Sequence, residues 1–151
     1  MKKTYSLLAL LLSFTYASAQ YCTSAGGDPS AEFISRVQLN TLDNSSATAP
    51  VTGYTDFTGV TPTDLEISTS YSITITKFWP AGGGGPYNEG IGVWIDYNQD
   101  GDFFDAGEFV YNDTPNTTTP VTGNFTIPLG ATLGNTRMRV QMQGDNSVND
   151  P

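Results

Sequence analysis

Tyr71-Ser72-Ile73-Thr74-Ile75-Thr76 decides the fold class. Tyr71, Ile73 and Ile75 occupy every second position, with Ser72, Thr74 and Thr76 between them. Successive side chains of an extended chain point to opposite faces, so this alternation describes a half-buried strand, and Ile and Thr suit that conformation. The pattern recurs outward along the chain. Met138, Val140 and Met142 alternate with Arg137, Arg139 and Gln141. Ile91, Val93 and Ile95 share one face, and Trp94 makes that strand apolar on both sides. Phe125 and Ile127 form a shorter case, and Phe33, Ser35, Val37 and Leu39 oppose Ile34, Arg36 and Gln38. Turn signals separate these runs: Asp43-Asn44-Ser45-Ser46, Thr61-Pro62-Thr63-Asp64, the glycine-rich residues 80–86, Asp113-Thr114-Pro115-Asn116 and Pro128-Leu129-Gly130. No helical periodicity follows residue 19. Short strands spaced by turns predict an all-β chain, an antiparallel β-sandwich of the jelly-roll or Ig-like kind, built as a single module.

The first residues stand outside that module. Lys2 and Lys3 precede an apolar run at residues 7–12, and Ala17-Ser18-Ala19 supplies a small-x-small cleavage pattern. The run is shorter than the roughly 20 apolar residues that span a bilayer. Residues 1–19 therefore read as a signal peptide, which leaves 20–151 as an exported module, secreted or at the cell surface. No later stretch reads as a membrane span. Removing Lys2 and Lys3 takes the net charge from −9 to −11, because the mature part keeps only Arg36, Lys77, Arg137 and Arg139 against 15 acids. Such a surface repels nucleic acid and anionic membranes, so the partners expected are an extracellular protein or a glycan. Cys22 is the single cysteine and cannot pair within the chain: it is free, or its partner is on another chain, or the sequence is a fragment.

Charge is concentrated in Asp96-Tyr97-Asn98-Gln99-Asp100-Gly101-Asp102-Phe103-Phe104-Asp105-Ala106-Gly107-Glu108. Five of the 15 acids fall here and no Lys or Arg does, an arrangement that favours a bound cation. Asp96, Asn98 and Asp100 stand at positions 1, 3 and 5 of an oxygen-ligand loop, Gly101 at the sharp turn of position 6, and Asp102 where a backbone carbonyl contributes. This is the first half of a calcium loop of the EF-hand kind. The second half departs from it: Gly107 occupies the place of the bidentate Glu, which leaves Asp105 or Glu108 to close the site, Glu108 favoured for its reach. The flanks read as strands, 91–95 and 108–111, instead of helices. Oxygen ligands and the absence of any His point to structural calcium and away from zinc or copper. The competing reading is a solvated acidic turn around Asp100-Gly101.

Catalysis finds little footing. There is no His to act as a base, and Cys22 has no partner base. A glycosidase-like carboxylate pair could be drawn from the acidic loop, but ion ligation explains those residues better. The glycines at 82–85 precede neither a helix pattern nor a Lys-Ser or Lys-Thr, so they form no phosphate loop. Trp94 reads as core, whereas Trp79, Tyr87 and Tyr97 are candidates to stack on a sugar ring.

The chain resembles the GEVED domains of secreted bacterial proteins, found mostly in the Bacteroidetes. The likeness runs through Tyr21-Cys22-Thr23-Ser24, Glu32-Phe33-Ile34-Ser35-Arg36-Val37, Gly53-Tyr54-Thr55-Asp56-Phe57, the central residues 93–103 with Ala106-Gly107-Glu108, and Thr136-Arg137-Met138-Arg139-Val140. It implies a β-sandwich accessory or adhesion module within a larger exported protein, with a carbohydrate-binding module on a secreted hydrolase or peptidase as the alternative. The Gly-Glu-Val-Glu-Asp stretch that names the family, and the second cysteine before it, do not occur in this sequence. The resemblance therefore implies a C-terminally incomplete module, in which Cys22 pairs with a cysteine beyond residue 151.

Overall fold

The computed structural model describes residues 21 and 26–151; the expected signal peptide and Cys22 lie outside them. Seven strands follow one another: β1 (Phe33–Leu39), β2 (Leu42–Ser45), β3 (Ser70–Phe78), β4 (Glu89–Ile95), β5 (Phe109–Asn116), β6 (Val121–Thr126) and β7 (Met138–Gly144). They form two antiparallel sheets, ordered β2-β1-β3-β6 and β5-β4-β7. The sheets pack face to face as a β-sandwich. Their strand order is not the ABED/CFG arrangement of the immunoglobulin domain.

The alternation read from the sequence builds the core. Ile73, Ile75, Val121 and Phe125 of one sheet meet Ile91, Val93 and Ile95 of the other, with Leu39 and Ile127 completing the cluster. The central strand β4 is buried along its whole length, which explains why it is apolar on both faces. Its outer face carries a second cluster: Trp94 packs with Phe103 and Val148, with Tyr21 against them and Phe109 stacked on the indole at 4.6 Å. Gly92 makes room for this, since a Cβ there would stand 2.5 Å from the Trp94 ring. Gly123 serves the inner face in the same way, a Cβ there falling 2.1 Å from the Tyr111 ring.

Two expected turns are strands. Residues 43–46 read as a turn, yet Leu42–Ser45 is β2, and the chain reverses at Asn40-Thr41, with Asn40 at φ 50°. Asp113–Asn116 lies in β5, where an irregular register between Glu89 and Ile91 and an edge position accommodate Pro115 without a lost ladder bond. At the opposite edge of that sheet, β7 leaves Met138, Val140 and Met142 half-buried beside an open groove, which Ile34, Val37 and Leu42 line from the other sheet. Among the described residues there is no helix long and apolar enough to cross a membrane.

Candidate cation loop

The acidic segment connects β4 to β5, and both its ends are tied down. Ile95 N–H donates to the Glu108 carbonyl (2.9 Å), and Asp96 N–H donates to the Arg137 carbonyl (3.1 Å). The connection preceding β7 holds the loop from the side: Thr132 N–H donates to the Tyr97 carbonyl (2.8 Å), and Gln99 Nε2 donates to the Thr132 carbonyl (3.0 Å). Gln99 at φ 62° and Gly101 at φ 94° make the sharp bend that the Gly101 position called for.

Local side-chain chemistry shapes the rest. Asn98 Oδ1 accepts from Asp100 N–H (3.0 Å), Asp100 Oδ1 from Asp102 N–H (3.1 Å), and Asp102 Oδ1 from Phe104 N–H (2.9 Å). Each short side chain thus bonds the backbone two residues ahead, a run of Asx turns that sends alternate side chains to one side. The result is a convergence of Asp100, Asp102 and Asp105, whose carboxylate oxygens lie within 4.8 Å of one another. The Asn98 amide bridges two of them, donating to Asp100 Oδ2 (3.0 Å) and Asp105 Oδ2 (2.6 Å). Hydrogen bonds from Asp102 N–H and Asn98 hold the Asp100 carboxyl below its ordinary range. At this spacing each pair of carboxylates repels by about 1 kcal/mol even with water-like screening.

The outer members of the motif do something else. Asp96 is fully buried, and its carboxylate accepts from Gln99 N–H (2.6 Å), Gly101 N–H (3.1 Å) and the Tyr21 hydroxyl (2.7 Å). Burial, with the Asp96 hydrogen bond and charge, pushes the Tyr21 hydroxyl up to about 12. Glu108 is also buried, and its Oε1 accepts from Tyr97 N–H (2.9 Å). Glu108 Oε2 and the Tyr97 hydroxyl are buried with no hydrogen-bond partner among the described residues. Burial raises the Glu108 carboxyl, and burial with the Glu108 charge pushes Tyr97 up to about 12.

Of the six expected ligands, four meet: Asn98, Asp100, Asp102 and Asp105. Asp102 contributes its carboxylate in addition to its place in the chain, and Asp105 closes the group where Glu108 was favoured. Asp96 and Glu108 instead clamp the two ends of the loop through backbone N–H groups. The three candidate sugar-stacking aromatics do not come together. Trp79 and Tyr87 precede β4 and Tyr97 follows it, on the order of 25–35 Å away along the strand axis. The Trp79 indole nitrogen and the Tyr97 hydroxyl are buried, and the Tyr87 hydroxyl is turned back onto the Gly83 carbonyl (2.7 Å). Phe103 is buried and Phe104 exposed, so the aromatic pair after Asp102 divides between the outer cluster and solvent. Two charged residues escaped the sequence reading: Lys77 and Glu89 are both fully buried at the far end of the sandwich.

Among known proteins, the model of the GEVED domain family matches residues 90–151, which run from β4 through the acidic loop to β7 and beyond. No curated protein and no solved structure matches the chain.

Proposed function

We propose, from a chain whose residues 90–151 carry a GEVED domain, that it is a non-catalytic, calcium-stabilised accessory or adhesion module of a larger exported protein. The observation that supports this best is the convergence of the Asp100, Asp102 and Asp105 carboxylates within 4.8 Å, with no basic residue in the loop to balance them. Oxygen ligands at this spacing suit a hard cation of calcium's size. Asn98 adds an amide that presents its carbonyl oxygen instead of its NH2 once rotated, and Asp96 and Glu108 keep the ends of the loop shaped through backbone N–H groups. The acids at this site are ligands in a reading of structure, not of chemistry: neither a histidine nor a nucleophile–base pair accompanies them. The module's partners are the other domains of the same exported polypeptide and an extracellular protein surface that tolerates its strong negative charge.

At about 1 mM calcium and a Kd near 10⁻⁴ M, the ion would stabilise the fold by about 1.4 kcal/mol. Differential scanning calorimetry tests this. Calcium should raise the Tm by roughly 3–6 °C over chelator-treated protein, and Asp100→Asn should abolish the rise. An unchanged Tm together with no heat of calcium binding overturns the proposal.

A further inference from the structure

We propose that a second divalent-cation site lies at the other end of β4, between Glu89, Glu32 and the Gly144-Asp145 turn. Glu89 is the first residue of β4 and pairs with Gly144 of β7. It is fully buried, and neither of its carboxylate oxygens has a hydrogen-bond partner among the described residues. A carboxylate left that way costs several kcal/mol, so such a group calls for a partner. Lys77 is the nearest cation and is already committed. Its ammonium donates to the Glu89 carbonyl (2.7 Å), the Asn116 carbonyl (3.0 Å) and Asn116 Oδ1 (3.3 Å), and it pairs with Asp113 at 3.8 Å. An ammonium has three hydrogens, and these contacts use them. The buried Trp79 indole N–H lies beside Glu89, outside good hydrogen-bond geometry but close enough to favour the charged carboxylate, and one neutral donor cannot balance a full charge.

Further acids crowd the same corner. A point one Cβ bond out from Gly144 would lie 3.6 and 3.9 Å from the two Glu89 oxygens and 3.8 Å from Glu32 Oε1. The absence of a side chain at Gly144 therefore leaves a gap bordered by three carboxylate oxygens. Burial pushes the Glu89 carboxyl up to about 7, with the Glu32 and Asp145 charges adding to the rise, and burial with Asp28 and Asp145 raises Glu32. Two glutamates that place three carboxylate oxygens around this gap, with the nearest ammonium among the described residues already engaged, describe a place for a hard divalent ion. Seven residues of β4 separate it from the acidic loop, roughly 20 Å, so the two sites can be loaded independently.

Isothermal titration with calcium chloride, on wild type, Glu89→Gln, Glu32→Gln and Asp100→Asn, separates the two sites. The expected result is two calcium ions per wild-type chain, one after Glu89→Gln and one after Asp100→Asn. Glu32→Gln, in a half-buried residue at the rim, should weaken the second site at least tenfold and remains informative if Glu89→Gln fails to fold. Binding should also change tryptophan fluorescence through Trp79, and Glu89→Gln should remove that change. A single calcium ion that Asp100→Asn abolishes and both Glu variants leave intact overturns this site and leaves the loop reading standing. A single ion lost only in the Glu variants overturns the loop reading alone, and no binding by wild type overturns both.

Discussion

Asp96→Asn separates the shape of the acidic loop from its charge. Asp96 is fully buried and accepts three hydrogen bonds, from Gln99 N–H, Gly101 N–H and the Tyr21 hydroxyl. An asparagine keeps one acceptor oxygen and turns an NH2 group toward the remaining donors. With the oxygen kept on Gln99 N–H, the Tyr21 hydroxyl can rotate to accept, but Gly101 N–H cannot, and it is left buried against another donor. A lost bond to a charged acceptor is worth about 1.5–3 kcal/mol, and an orphaned buried donor adds about 1–3 kcal/mol, so the cost is about 2.5–6 kcal/mol. For a chain of this size that lowers the Tm by about 10 °C or more. The assay is thermal unfolding in calcium-free buffer, where no ion contributes. Asp100→Asn is the control: Asp100 is exposed, and its loss relieves repulsion with Asp102 and Asp105, so its Tm without calcium should stay level or rise slightly. An Asp96→Asn protein that melts within about 2 °C of wild type, or an Asp100→Asn protein that falls as far, refutes the division of labour argued for this loop.

Gly123→Ala would place a methyl 2.1 Å from the Tyr111 ring, between the sheets, and should cost about 1–3 kcal/mol in urea unfolding; Tyr111→Leu in the same chain should recover most of it. In calcium-free buffer Glu89 should make stability depend on pH. Its carboxyl lies at about 7 in the folded chain against 4.5 as the ordinary value, so the folded state holds the proton more tightly. The stability this gives is fully present below pH 4.5 and is lost as pH rises through about 7, at most about 3 kcal/mol, and Glu89→Gln should flatten that window. Amide hydrogen exchange should show calcium slowing Asp102 and Phe104, whose amides hang on the converging carboxylates, far more than Gln99 and Gly101, which Asp96 already holds; equal slowing at all four would contradict a local ion site.

The strands that alternate were legible, and the reason is burial on one side. In β3 and β6 the period of two is enforced by a core on the inner face, so the residue pattern exposes it, whereas β4, buried on both faces, is legible as an apolar run. Residues 43–46 and 113–116 misled because Asp, Asn, Ser and Pro mark turns only where pairing does not override them. Both stretches lie in edge strands, whose solvent side tolerates polar residues and, at Pro115, a missing N–H. The acidic loop was half legible. Asx turns are made between residues two apart, so the spacing of Asn98, Asp100 and Asp102 transmits directly into geometry. Asp96 is held by the local Gln99 and Gly101 N–H groups but is also capped by Tyr21, 75 residues distant, and Glu108 by Tyr97 N–H across the loop, and no short spacing encodes those two contacts. Lys77 did leave a signal: it continues the inward positions of Tyr71, Ile73 and Ile75, so the alternation that buried the isoleucines buries the ammonium too.

The placement of the acids along β4 follows a common physical rule. A strand buried on both faces can hold charge only at its two ends, where the sheets open. β4 carries Glu89 at its first position and Asp96 immediately after its last, and both are fully buried. The Asp96 end is solved by the chain itself: two backbone N–H groups and the Tyr21 hydroxyl satisfy that carboxylate, and the excess charge is displaced outward onto Asp100, Asp102 and Asp105, where solvent or an ion reaches it. Among the described residues the Glu89 end has no equivalent turn of N–H groups, and the Lys77 ammonium beside it, though it favours the Glu89 charge, hydrogen-bonds carbonyls and pairs with Asp113. The same strand therefore ends in one carboxylate that shapes a loop and another that still wants a counter-charge. The second end, hidden within an otherwise apolar-looking sandwich, is the more demanding electrostatic problem of the two.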